Sequence, residues 1–144
     1  MRYAFFPGCK IPHFVPHYGA SSRRLLQELD IELVDMEFNC CGYPMSHLYY
    51  QSSLLAAARA LAMAQAQGLD ILTPCKCCFG AFKRSMHALA QDPDRRRQVT
   101  QDLAKEGLPY PDRSQAKHLL SVLYHDVGLP ALRQRITRPY QHLK

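Results

Sequence analysis

Gly68-Leu69-Asp70-Ile71-Leu72-Thr73-Pro74-Cys75-Lys76-Cys77-Cys78 is the stretch from which the fold is read. Gly68 stands where a left-handed helix cap belongs, and the apolar run 69–73 is stopped by Pro74, as a short buried strand would be. Three thiols follow at once. The same grammar recurs twice upstream. Tyr3-Ala4-Phe5-Phe6 is stopped by Pro7-Gly8 and followed by Cys9, and a second strand over 31–36 precedes the turn-rich Asn39-Cys40-Cys41-Gly42-Tyr43-Pro44. The first two strands are separated by a loop carrying Pro12 and Pro16 and a helical pattern over 17–29, with Tyr18, Leu25, Leu26 and Leu29 on one face. A helix rich in alanine and leucine, with Ser52 and Ser53 available as caps, runs to Gln67 before the third strand. Another runs from near Cys78 or Phe79 to about Ala90, turning Phe82, Met86 and Leu89 to one side.

Strands alternating with helices predict an α/β fold of three layers, a small, mostly parallel sheet with flanking helices. The carboxyl ends of parallel strands open on one edge, where such folds bind ligands. Cys9, Cys40, Cys41 and the Cys75–Cys78 loop each follow a strand, so a cysteine cluster is expected at that edge. Beyond Pro93 come a polar helix over 94–106 ending at Gly107, a loop with Pro109 and Pro111, and a helix capped by Ser114 and reaching about His125. Residues 1–129 read as one domain, and 130–144 as a basic tail or linker.

At 144 residues with 47% hydrophobic and 21% charged residues, the chain can build a core without disulfides and is not disordered. No run approaches the roughly 18 apolar residues of a membrane span, and the amino terminus lacks the pattern of a signal peptide. A soluble cytoplasmic protein is expected. The net charge of +6 is dispersed; Arg95-Arg96-Arg97 is the one tight basic run, with a scatter at Arg133, Arg135 and Arg138. These read as solvated helix faces or a surface for an acidic partner. No zinc-finger or RNA-binding signature accompanies them, so nucleic acid is not an expected partner.

All six cysteines lie within the first 78 residues. In a reducing compartment, clustered thiols mean metal or redox chemistry. Thiolates bind zinc, copper(I) and iron–sulfur clusters. Zinc closes a tetrahedron of four ligands, and the adjacent Cys40-Cys41 is an awkward pair for one small ion. A group of several irons accommodates neighbouring thiolates on different metals. Three readings stay open on the residues alone: an iron–sulfur redox module, a structural zinc module docking onto larger redox subunits, and a metal-free thiol–disulfide protein using Cys75 and Cys78. Among the other candidates, His13 and His17 have the spacing of zinc ligands on one face, although Pro12 and Pro16 interrupt the segment. His47, a candidate catalytic residue, and Tyr49 are placed to line a substrate crevice. Lys76 could neutralise thiolates, and Cys77 is either a spare redox thiol or ligand, or a small residue in a turn. His87, His118, His125 and His142 read as helix-surface or capping residues.

Cys9, then Cys40-Cys41-Gly42, then Cys75-x-x-Cys78 resembles the cysteine-rich CCG domain of the heterodisulfide reductase B-subunit family. Phe6-Pro7-Gly8-Cys9, residues 32–37 and 68–73, Cys78-Phe79-Gly80 and the segment from Lys117 to Gly128 agree with that family, so the resemblance covers about residues 3–129. It implies a noncubane [4Fe-4S] cluster held by Cys9, Cys40, Cys41, Cys75 and Cys78, which in that family reduces a disulfide by splitting it at iron. It also implies partners: an iron–sulfur subunit that donates electrons and a disulfide or sulfur-carrier substrate. Family members generally carry two CCG halves, and this chain resembles the amino-terminal one, its end near Pro139 to Lys144 falling about where a second would begin. Electron transfer, or catalysis as part of a reductase after pairing with a second half, is therefore expected. Related CCG domains occur in other oxidoreductases, and some hold zinc.

Overall fold

The computed structural model describes residues 1–138, so His142 and residues 139–144 of the expected tail lie outside the described residues. Among the described residues, four short strands, β1 (Arg2–Phe5), β2 (Glu32–Asp35), β3 (Asp70–Thr73) and β4 (Ala116–His118), form one all-parallel sheet in the order β2-β1-β3-β4. Seven helices among these residues flank it: α1 (Lys10–Phe14), α2 (Pro16–Glu28), α3 (Tyr50–Ala66), α4 (Lys76–Gln91), α5 (Pro93–Ala104), α6 (Leu119–Ser121) and α7 (Leu129–Arg135). The expected three-layer α/β architecture is the one observed.

Alternation along β1 and β3 explains the layers. Ala4, Phe6 and Ile71 pack with Ala57, Leu61 and Phe82 of α3 and α4, while Tyr3, Phe5 and Leu72 face Leu26 of α2, Leu119 and Val122 on the opposite side. Successive strand residues point to opposite faces, so both faces of the central strands are covered. Alanines at 57, 60 and 64 keep α3 close to the sheet. A further apolar layer joins α3 to α5 through Leu54, Val99 and Leu103.

Several elements depart from the expectations. The loop with two prolines contains α1, because Pro12 falls in its first turn and Pro16 begins α2, positions where a missing N–H costs nothing. Ser52 and Ser53 do not cap α3, which starts two residues earlier; the Ser53 hydroxyl donates to the Tyr50 carbonyl. Helix α4 begins at Lys76, so Cys77 and Cys78 lie in its first turn. Ser114 does not start a helix. Its hydroxyl donates to the Leu69 carbonyl, Ile71 N–H donates to the Gln115 carbonyl, and the segment joins the sheet as β4. His118 provides the cap instead, its Nδ1 accepting from Leu120 N–H at 3.2 Å. After α6 the chain continues as a π-helical stretch, Val122–Val127. Helix α7 occupies the start of the basic segment after Gly128, and Arg135 ties it to the end of α2 through the Glu28 carbonyl and Asp30. On α5, Arg95 and Arg97 pair with Asp92 and Asp94, and Arg96 stacks over Tyr110, as a solvated helix face would.

One polar knot fastens the π-helical stretch to the sheet. Asp126 Oδ2 accepts from Tyr3 Oη at 2.7 Å and from Lys117 Nζ at 2.8 Å. Lys117 first, then Tyr3, holds the Asp126 carboxyl below the usual carboxylate range. Asp126→Asn is expected to cost about 1–2 kcal/mol at neutral pH, because it strands a partly buried ammonium. A depressed carboxyl contributes fully above its unfolded value, about pH 4, and loses that contribution as the pH falls through its folded value. Urea midpoints of the variant and the parent should therefore differ at pH 7 and converge in acid; a constant gap would contradict the assignment.

Candidate metal centre at the cysteine edge

Strand order reverses between β1 and β3, which makes the space beyond their carboxyl ends the switch point of the sheet. The Pro7-Gly8-Cys9 loop leaves β1 there and meets the Pro74-Cys75 loop leaving β3. Gly8 has φ +77°, and a Cβ on it would stand 2.9 Å from Cys78 Sγ, 3.4 Å from Cys75 Cβ and 3.7 Å from Cys75 Sγ. The two loops touch only because position 8 has no side chain. Cys75 is held in extended conformation ahead of α4 by its N–H, which donates to Thr73 Oγ1 at 3.1 Å, and Tyr18 Oη donates to the Pro74 carbonyl at 3.1 Å.

The loop after β2 supplies the third wall. Cys41 and Cys78 are both buried and their sulfurs are 3.4 Å apart. Gly42, at φ +82°, lets the chain turn against α3, since a Cβ there would fall 2.8 Å from Ser53 Cα. Cys9 and Cys40 are exposed and flank a cleft of about 140 Å³ between the first and second loops, with Gly8 and Phe38 also lining it. Five thiols are thus arranged as a deep pair, Cys41 and Cys78, a shallow pair, Cys9 and Cys40, and Cys75 against Gly8. Among the described residues, no three His, Cys, Asp or Glu side chains close on a single-ion point.

Electrostatics ties these thiols together. The S–H of Cys78, with the Tyr43 N–H, holds Cys41 down to about 6 in spite of its burial. Cys78 is pushed up by the same contact and by burial. Burial first, and then the neighbouring Cys41 and Cys9, also raise Cys40. Cys77 is exposed in the first turn of α4. The protons that Cys40 and Cys78 retain are ones a soft metal would displace, leaving thiolates. The donor set fits a thiophilic metal group.

The remaining candidates are dispersed. His13 and His17 sit on α1 and α2, separated by the break at Val15, so their spacing does not put them on one helix face. His47 borders a second cavity, about 270 Å³, whose wall includes Cys41; Tyr50, and not Tyr49, lines it. Lys76 is exposed. His118, read from the sequence as a helix-surface or capping residue, does cap α6, and the unforeseen β4 carries it to this same edge, where its ring packs edge-on against Phe79 at 5.8 Å.

A profile of the CCG cysteine-rich domain matches residues 3–83. The chain belongs to the CCG cysteine-rich domain family. It is 32% identical over 139 residues to a heterodisulfide reductase B-subunit-like protein of Archaeoglobus profundus, an alignment that covers 94% of this chain and 46% of that one. It is 27% identical over 141 residues to the B subunit of the ferredoxin/F(420)H(2)-dependent CoB-CoM heterodisulfide reductase of Methanosarcina acetivorans, covering 96% and 47%. It is 31% identical over 145 residues to the 8-methylmenaquinol:fumarate reductase membrane anchor subunit of Wolinella succinogenes, covering 99% and 50%. The chain spans about half the length of these curated relatives. A crystal structure of a hypothetical protein from Helicobacter pylori superposes with a TM-score of 0.74 at 21% identity, over 82% of this chain and 24% of that one, a likeness of fold. Among the described residues, no helix is long and apolar enough to cross a membrane.

Proposed function

We propose that this chain is a cytoplasmic iron–sulfur redox module that holds a noncubane [4Fe-4S] cluster through Cys9, Cys40, Cys41, Cys75 and Cys78. It works as part of a heterodisulfide reductase-like oxidoreductase, with a partner subunit delivering electrons and a second CCG half completing the site. The observation that carries this reading is the meeting of thiols from three strand ends at one switch point, anchored by the contact of Gly8 with Cys78 and of Cys41 with Cys78. Such a cluster, when bound, supplies an electron and an open iron to the sulfur of a disulfide. The chain's own residues prepare for that chemistry. Cys41 and Cys78 bury the inner donors away from water, Cys9 and Cys40 leave the outer ones accessible, and Gly42 and Thr73 fix the two loops that carry them.

Adjacent Cys40 and Cys41 belong to different pairs, one shallow and one deep, which suits a group of several metals better than one zinc ion. Metal and sulfide analysis of protein prepared without oxygen tests the proposal. About four irons and four acid-labile sulfides per chain are expected. One zinc with no labile sulfide would establish the structural alternative, and a metal-free protein with a redox-active Cys75–Cys78 pair the thiol–disulfide one.

A further inference from the structure

The basic segment after Gly128 has no part in the cysteine edge. From residue 127 onward the sequence contains Arg133, Arg135, Arg138 and Lys144 and no aspartate or glutamate. The two nearest acids are already engaged: Asp126 accepts from Tyr3 and Lys117, and Asp30 from Arg135. Arg133 and Arg138 stand exposed. Beside them lies an apolar groove of about 490 Å³. One wall is α6 and the π-helical stretch, with Leu120, Leu123 and Tyr124; the other is α7, with Leu129 and Leu132. Gly128 sets the angle between the walls. Its N–H donates to the Leu123 carbonyl, closing the π-helical winding, and its φ of +85° turns the chain directly into α7. Leu132 N–H donates to the Gly128 carbonyl, and Arg135 fastens the far end of α7 to α2. Both walls are thus held, yet their apolar side chains are left in water. Leu120 is 65% exposed, Tyr124 59% and Leu129 47%. Ile136, four residues after Leu132 and so on the same side of α7, is 55% exposed. Single exposed leucines are ordinary, but a contiguous row of them along a groove marks a contact surface.

Shape and charge select the occupant. A groove between two helical walls receives a ridge, which the apolar side of another helix offers and the plane of a bilayer does not. The seven residues of α7 are about 10 Å long, the reach of anchors at i and i+7 on such a helix. A second copy of this chain would bring two basic rims together, like charge against like. We propose that this groove is the docking site for an amphipathic helix of a partner protein, with large aliphatic anchors on its inner side and carboxylates along its flanks. Leu120, Tyr124, Leu129 and Leu132 receive the anchors, and Arg133 and Arg138 pair with the flanking acids. Nothing in this surface depends on what the cysteines hold.

Fluorescence anisotropy of the full chain with two labelled peptides of about 18 residues, long enough to form a helix, tests the proposal. Both carry leucine at i, i+3, i+4 and i+7; one has glutamate on its flanks and the other lysine. The glutamate peptide should bind at least tenfold more tightly. Leu120→Glu and Tyr124→Ser, both at exposed positions, should each weaken it about tenfold or more with the thermal midpoint unchanged. Reversing the rim with Arg133→Glu and Arg138→Glu together should turn the preference toward the lysine peptide, which an indiscriminate apolar surface would not do. Equal binding of the two peptides, no binding of either, or a preference that survives the reversal would overturn the proposal. So would two other occupants. Co-sedimentation with phosphatidylglycerol vesicles in place of peptide binding, lost in Leu120→Glu, would assign the groove to a membrane surface. A dimer of the parent chain in analytical ultracentrifugation that Leu120→Glu dissociates would assign it to a second copy.

Discussion

Cys41→Ser is expected to release most of the bound iron, while Cys77→Ser keeps it. Cys41 is 3% exposed and its sulfur is 3.4 Å from that of Cys78, so it is committed to the inner pair. Its neighbours also hold this thiol down to about 6. A serine hydroxyl is a hard, neutral donor and cannot replace a thiolate on a soft metal. Cys77 differs from it by position alone. It shares the loop and the chemistry of Cys75 and Cys78, but the first turn of α4 leaves it exposed and outside the interactions among the other five. Iron per chain after anaerobic reconstitution measures the contrast, and equal loss in both variants would contradict the ligand assignment. In the metal-free forms Cys77→Ser should match the parent within about 1 kcal/mol, whereas Cys41→Ser buries a hydroxyl and should cost about 1–3 kcal/mol.

Gly8→Ala should have an effect nearly as large on iron and a larger one on the fold. The new methyl group would sit 2.9 Å from Cys78 Sγ at a backbone φ of +77°. Two costs add: about 1–2 kcal/mol for a side chain in the left-handed region, and about 1–3 kcal/mol for overpacking. The overpacking is relieved only by moving Cys78 Sγ, which the proposed cluster needs in place. Gly68→Ala is the control, because Gly68 has a similar φ of +67° but nothing within 4 Å of an added Cβ. Both variants should melt lower, and Gly8→Ala alone should lose iron. Iron retained by Gly8→Ala would show that the contact between the first and third loops has no part in holding the group.

The contrast between Gly8 and Gly68 also shows what could be read in advance. Gly68 closes a helix in the way its local sequence announces. The need for glycine at position 8 comes from a residue 70 places along the chain, and no local pattern carries it. The three strands that deliver thiols were legible because each is an apolar run ended by proline or a turn. β4 was not, since three residues are too few for alternation and Lys117 and His118 follow a serine that would serve equally well as a helix cap. Its place is set by Ser114 and Gln115 bonding to Leu69 and Asp70. Helix α1 was hidden by prolines that stand at helix starts rather than inside a loop. At the edge itself the cysteines were legible by type and spacing, whereas the division into deep and shallow pairs depends on how Gly42 turns the second loop against α3. The same turn, with the short 3-10 segment Tyr43–Met45 behind it, brings Tyr50 rather than Tyr49 to the cavity that His47 borders.

Diffraction from crystals of the anaerobically reconstituted chain, with anomalous data collected at the iron edge, tests most directly whether three strand ends share one redox group. The account predicts a single compact group of anomalous scatterers beyond the ends of β1 and β3, within bonding distance of Cys9, of Cys40 and Cys41, and of Cys75 and Cys78. Iron bound by the thiols of one loop alone, or scattered over separate sites, would contradict it.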